Sequence, residues 1–301
     1  MKLLKFLSMI LVAGLLLIGC QTQVSTAIVN VLVPTGAPSV LFVDMIENPG
    51  LAIIDVVNGA DPVMSELLNP NNAYDMIVAP IVSATKLQME GKTTYKLIGI
   101  VSWGNLVILG PQDLDLNNAK LGVFAPQGVP GVISRHLLEK EGISMEVQAV
   151  GTMADAMALY VGGHVDAVLM AYPLAQTLIE KHDAHVLLNL QEVYEKHYGQ
   201  ENYPQAGIYV SKYFYEYHKS RIGVVMNQLT TTHNLNLNTP NRLNNIRGAV
   251  KDKLMMDSME PMSKNYESLG LFPCYSLEKL NELNNFLNLF DLELQSSMIA
   301  R

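Results

Sequence analysis

Four short stretches of this chain carry small and hydroxylated residues of the kind that can hold a small molecule without reacting with it: residues 35–39, 79–85, 127–131 and 171–174. Ser39, Ser83, Thr85 and Gln127 supply neutral groups that both donate and accept hydrogen bonds. Thr35, Gly36 and Gly128 are small enough to let a ligand approach main-chain N–H groups. Two aromatic rings lie nearby. Trp103, the only Trp, sits in Ser102-Trp103-Gly104-Asn105, and Tyr172 opens a helix-like segment. Both could stack on a ring, and Trp103 could equally belong to a core. Reactive constellations are missing from the sequence. It has no Gly-x-Ser-x-Gly elbow or Ser/His/Asp order. The His182-x-x-His185 spacing lacks a neighbouring Glu or third His to complete a zinc site. The expected chemistry is reversible capture, with no catalytic residue, no metal and no cofactor.

Each stretch must be positioned by the elements around it. Residues 28–33 read as a β-branched strand, 34–39 as a Gly/Pro turn and the apolar residues from Val40 as a helix. Residues 51–57 read as a second strand, followed by a turn in which Asp61 caps a helix before Pro62. Residues 75–79 are a buried strand that breaks at Pro80 into a helix, and 95–101 and 106–109 are further strands. The same logic then repeats. Residues 119–124 form a strand, 125–131 a glycine-rich turn, and 132–141 a helix closed by Gly142. Met145, Val147 and Ala149 alternate as a strand, Thr152 caps a helix, and 165–170 form a buried strand ahead of Pro173. Leu280, Leu283, Leu287, Phe290 and Leu294 form the stripe of one amphipathic helix. Strand and helix alternating twice over implies an α/β class with two similar halves, each a mainly parallel sheet covered by helices. In such sheets a ligand lies beyond the carboxyl ends of the strands, which is where the four stretches fall.

The composition agrees with a binding role for a folded chain and excludes others. Among 301 residues 49% are apolar and 16% charged, far from a disordered composition. The net charge is -8 with only five Arg, which argues against a nucleic-acid partner. The first 20 residues, MKLLKFLSMILVAGLLLIGC, combine Lys2 and Lys5 with an apolar stretch at residues 6–18. That length suits an export signal and is too short for a permanent membrane span. Leu17-Ile18-Gly19-Cys20 resembles the bacterial lipobox, in which the Cys is acylated and becomes the first residue after cleavage. Acylation would hold the chain on the extracytoplasmic face of the cell membrane. Losing residues 1–19 removes two Lys and no acid, so the mature charge becomes -10. Residues 20–27 read as a short polar tether. Cys274 reads as a buried free thiol.

At residues 154–178 the chain resembles the type II periplasmic binding proteins of ABC importers, in the nitrate, sulfonate and thiamine-precursor binding group. Gly163, Val165, Asp166, Ala167 and Pro173 match the pattern of that group, and Tyr172 replaces the acid usual before the Pro. Residues 121–142 and 75–87 look like the corresponding segments of the two lobes. The resemblance implies a clamshell: lobe one from residues 28–107 and 206–301, lobe two from 108–205, with the chain crossing near 106–111 and 204–209. It also implies a ligand held between the lobes and delivered to an ABC permease by a monomeric, non-catalytic protein.

The ligand class follows from charge. The four stretches contain no Arg and only Lys86 at one edge, and Arg135, a turn beyond Gly131, could face the cleft or solvent. A multiply charged anion normally recruits bidentate Arg. The expected ligand is therefore neutral or singly charged, and a heterocycle suits the two aromatic rings. Two rival readings share the fold: a vitamin-precursor biosynthetic enzyme, which export and acylation oppose, and a lipoprotein sensor or receptor domain.

Overall fold

The structure is a computed structural model and describes residues 27–300. Cys20 and the apolar leader lie outside the described residues. Eleven strands are present among the described residues: β1 (Val29–Pro34), β2 (Ala52–Val57), β3 (Met76–Pro80), β4 (Lys96–Trp103), β5 (Leu106–Gly110), β6 (Lys120–Phe124), β7 (Glu146–Val150), β8 (Ala167–Ala171), β9 (His185–Asn189), β10 (Pro204–Val210) and β11 (Leu271–Tyr275). They make two sheets. One has six strands in the order β11-β4-β10-β3-β1-β2, the other five in the order β7-β6-β8-β5-β9.

The two sheets repeat one topology. In the first, β1 pairs in parallel with β2 and β3, and β10 runs antiparallel between β3 and β4. In the second, β6 pairs in parallel with β7 and β8, and β5 runs antiparallel between β8 and β9. The second sheet thus holds one reversed strand, β5, and the first holds two, β10 and the added edge strand β11; β5 and β10 are each supplied where the chain has just crossed from the other sheet. Parallel strands covered on both faces must be apolar almost throughout. Residues 76–79, 121–123 and 167–170 are accordingly all buried. Burying each Val, Leu or Ile side chain contributes roughly 1.5–3 kcal/mol, so these runs hold the sheets in place. The alternation expected from the sequence, a mixed α/β fold in two similar halves, is what forms.

Two local expectations differ from the structure. The N-cap ahead of Pro62 is Ala60, and Asp61 is the first helical residue with no side-chain cap; Pro fits the first turn because its missing N–H would be unsatisfied there. Helix Leu280–Leu287 is shorter than its apolar stripe. A 3-10 turn, Asn288–Phe290, follows, and Asp291 takes a left-handed conformation that ends it, so Leu294 reaches the core from a loop. β7 forms where the sequence places a strand, and as the edge of its sheet it leaves Val147 48% exposed. The Thr152 cap forms as expected, with its hydroxyl accepting from the Asp155 N–H and the Asp155 carboxylate returning the bond. Cys274 is buried and free.

Candidate functional site

The position of a site follows from the direction of the strands. β4 is parallel to β3, because both are antiparallel to β10, so Trp103 and Pro80 end at the same edge of the first sheet. β5 begins at Leu106 opposite Ala171, the last residue of β8. The chain therefore leaves the first sheet at its carboxyl edge and enters the second at its carboxyl edge, with only Gly104 and Asn105 between. The carboxyl edges face each other across this crossing, and each parallel strand there gives way to a helix start with unpaired N–H groups.

The crossing is tied by amide side chains. Asn105 is buried, and its Nδ2 donates to the carbonyl oxygens of Tyr172 at 3.2 Å and Leu269 at 3.3 Å. Its Oδ1 accepts from Gln205 Nε2 at 3.3 Å, and its carbonyl accepts from the Tyr172 N–H at 3.2 Å. One Asn thus joins the second sheet, the segment before β11 and the start of β10. Gln191 Oε1 accepts from the Leu106 N–H at 3.0 Å and from the Tyr203 hydroxyl at 2.9 Å. On the outgoing strand the Gly104 N–H donates to Tyr203 O, and Asn202 Nδ2 donates back to Gly104 O. Gly270 has a positive φ, and a side chain there would place its Cβ 2.5 Å from Trp103 O. Only Gly fits that close approach.

Of the residues selected from the sequence, Tyr172 is the best placed. It is half-buried and packs against both the core of the first sheet and that of the second. Burial raises its phenol pKa, so it stays a neutral donor. Gly36 and Gly128 are partly exposed, and Ser83 and Gln127 are exposed at their turns. Thr35 is in place, but its hydroxyl donates to Leu254 O at 2.9 Å, bringing the segment around Met255 and Met256 alongside its turn. Two residues point inward. Ser39 is fully buried, with its hydroxyl returned to Gly36 O at 2.8 Å. Thr85 is fully buried beside Tyr209, whose phenol is pushed up by burial and partly offset by the Thr85 hydroxyl. A strand-to-helix turn has one face on the core, and these two fall on it. Trp103 is 5% exposed with its indole N–H on Phe272 O at 2.8 Å. Its ring borders a cavity of about 290 Å³ at the β11 side of the crossing, together with Asn202, Glu201 and Lys279.

The turn after β6 shows why its glycines are there. Helix Val129–Lys140 starts from Gly128 without a side-chain cap. Gly131 lies so close to the Pro126 backbone that a Cβ would collide with it. Arg135 is exposed, and its Nη2 donates to Pro126 O at 3.5 Å. The helix start thus remains an array of N–H groups next to a guanidinium that already has a partner. Sequence reasoning missed Asn105, Gln191 and Gln205. Nothing in the local sequence marks Asn105, and a buried amide must find its partners elsewhere in the fold.

No protein-family model matches the chain, and no curated protein matches it. Solved structures do. An ABC transporter structure from Parabacteroides distasonis superposes with a TM-score of 0.78 at 18% identity, over 92% of this chain and 99% of that one. The periplasmic aliphatic sulphonate binding protein of Escherichia coli gives 0.64 at 17% identity, over 89% and 87%. The alkanesulfonate-binding protein of Xanthomonas axonopodis pv. citri, bound to MOPS, gives 0.60 at 17%, over 91% and 96%. The fold is the two-lobed fold of periplasmic binding proteins.

Proposed function

We propose that the protein is a lipid-anchored, extracytoplasmic substrate-binding protein that captures a small organic solute between its lobes and delivers it to an ABC permease. The observation that carries this reading is the crossing. Two sheets turn their carboxyl edges toward each other, joined by two residues whose hydrogen bonds reach both. A solute touching both edges favours the closed arrangement by its differential contacts. The lobes are taken as residues 28–107 with 206–301 and residues 108–205; the chain changes sheet at residues 104–105 and again between residues 189 and 204, which supports that division.

The proposed ligand contacts are Thr35 and Gly36 in the first lobe with Ser83, and Gln127, Gly128 and Tyr172 in the second, with Trp103 bordering the crossing. Ser39 and Thr85 support their turns from behind. The neutral groups and the engaged Arg135 favour a neutral or singly charged solute, and the half-buried Tyr172 ring favours a planar one. Cys20 is the proposed acylation site and the protein is proposed to act as a monomer without catalysis. Thermal-shift screening against vitamins, pyrimidines, flavins, sulfonates and nitrate tests this: one class should raise the melting temperature through mass-action linkage. Stabilisation by none of them counts against solute binding. Stabilisation by a strong anion that Arg135→Ala abolishes would overturn the preference for low charge.

A further inference from the structure

The described chain begins at Ala27, whose carbonyl oxygen accepts from Arg221 Nε at 2.8 Å. The same guanidinium donates to Leu51 O at 3.3 Å, so one side chain clamps the amino ends of β1 and β2. The amino-terminal segment therefore departs from the edge of the first sheet opposite the crossing. Cys20 precedes Ala27 by seven residues, a length of chain that reaches at most about 25 Å. An acyl group on Cys20 keeps this end of the molecule within that distance of the bilayer.

What this end exposes is suited to lipid. Helix Lys212–Tyr217 follows β10 and sits at the same edge, with the Ser211 N–H bonded to Asp75 O ahead of β3. Tyr213 and Tyr217 are 63% and 66% exposed, with ring centroids 4.8 Å apart. Ile28, beside the departure point, is 49% exposed. Tyr275 and Leu277 rim a mainly apolar recess of about 380 Å³ lined also by Ile98, Ile222 and Ala300, with Lys219 and Glu278 at its wall. Cations border these rings. Lys96 and Lys219 lie 5.7 and 5.3 Å from the Tyr215 ring centroid, and the Lys212 side chain, 64% exposed, lies 4.0 Å from the Glu216 carboxylate. Tyrosines with an apolar ring and a polar tip concentrate at the headgroup level of membranes, and lysines beside them attract anionic lipid.

We propose that this end of the first lobe is a lipid-facing surface. Until it docks on a permease, the anchored protein seats Tyr213 and Tyr217 among the headgroups of an anionic bilayer, with Lys212 and Lys219 beside the lipid phosphates. The proposal rests on the reading that Cys20 carries an acyl anchor.

The test uses the full chain processed in a bacterial host, in vesicles of phosphatidylethanolamine and phosphatidylglycerol, labelled with a membrane-impermeant amine reagent. Mass spectrometry follows Lys212 and Lys219, with the exposed Lys140 of the second lobe as internal reference and the Cys20→Ser chain as the soluble state. Lys212 and Lys219 should label about fivefold more slowly on vesicles, as expected for lysines held at an anionic surface, while Lys140 is unchanged. The double variant Tyr213→Ser, Tyr217→Ser should float with the vesicles and lose the protection, and its melting temperature should stay that of the parent. A chain that floats but labels at the soluble rate overturns the surface, and so does equal protection of Lys140. A processed chain that fails to float removes the anchor, and the surface falls with it.

Discussion

Asn105 and Tyr172 are joined by a reciprocal pair of hydrogen bonds: the Tyr172 N–H donates to Asn105 O, and Asn105 Nδ2 donates to Tyr172 O, each at 3.2 Å. The pair extends the β5–β8 ladder by one step beyond Leu106 and Ala171. It is also where the crossing meets the first turn of helix Leu174–His182, so movement of one lobe against the other is felt there.

Asn105→Leu fits the volume but leaves the Leu269 carbonyl without its Asn105 donor and removes an acceptor from Gln205. An unsatisfied buried group costs about 1–3 kcal/mol. Urea unfolding should show a lower midpoint of that size at an unchanged slope. A midpoint equal to the parent's would mean the bonds contribute nothing.

Tyr172→Ala should weaken solute binding about tenfold, or about 1.4 kcal/mol, because it removes a ring packed against both cores. Tyr172→Phe keeps the ring and should bind within about twofold of the parent, unless the phenol contacts solute directly, in which case it behaves like the Ala variant. Calorimetric titration with the stabilising solute separates the two roles, and unchanged affinity in the Ala variant removes Tyr172 from the site.

Gly131→Ala must push helix Val129–Lys140 away from the Pro126 backbone. Overpacking of this kind costs about 1–3 kcal/mol. The melting temperature and solute affinity should fall together, since the displaced turn holds Gln127 and Gly128. A loss of stability with full affinity would place the turn outside the binding surface.

Two partly buried histidines give the fold a pH dependence. Burial, with Lys140 nearby, lowers the pKa of His136 from its ordinary 6.5, and burial lowers that of His233. Their rings are bonded to the hydroxyls of Tyr198 and Tyr266. In the unfolded chain both take a proton near pH 6.5 and in the folded chain only below it, so the unfolded state binds more protons in between. The stability they contribute is complete above pH 6.5 and is lost as pH falls from there through the lowered values. Melting temperatures measured from pH 7.5 to 5.0 should decline, and the variant His136→Gln, His233→Gln should decline less. Equal slopes in the two proteins would assign the effect to other groups.

Burial raises the Cys274 thiol to about 11, so little thiolate exists at pH 7.5 and the sulfur is shielded. A disulfide reagent should modify the folded chain slowly and the urea-unfolded chain at the rate of an ordinary thiol. Rapid reaction in the folded state would show that β11 opens.

The alternating fold was legible because parallel strands buried on both faces leave continuous apolar runs, as residues 76–79 and 167–170 do. The turns were legible because Gly and Pro punctuate them. The inward-facing residues were not. Ser39 and Thr85 have the same residue types as Ser83, and only their rotation about the helix axis turns them toward the core. The alternation of Val147 with polar neighbours showed that β7 is a strand, but its exposure depends on its edge position, which local pattern does not encode. The Leu280 stripe predicted one long helix, yet its spacing is equally satisfied by a helix, a turn and a loop reaching one core. Asn105 carries no local signature, since its partners lie 67, 100 and 164 residues away.

The reversed strands β5 and β10 also set an order of assembly. β5 to β9 are contiguous in sequence, so the second sheet has all its strands once residue 189 has emerged. The first sheet waits for β10, which fills the gap between β3 and β4. Until then β1, β2 and β3 pair only with one another, and β4 has no neighbour in its final place. A chain that emerges amino terminus first therefore exposes an open strand edge until β10 has followed. Truncation before residue 204 should leave the second half able to fold and the first half prone to aggregate.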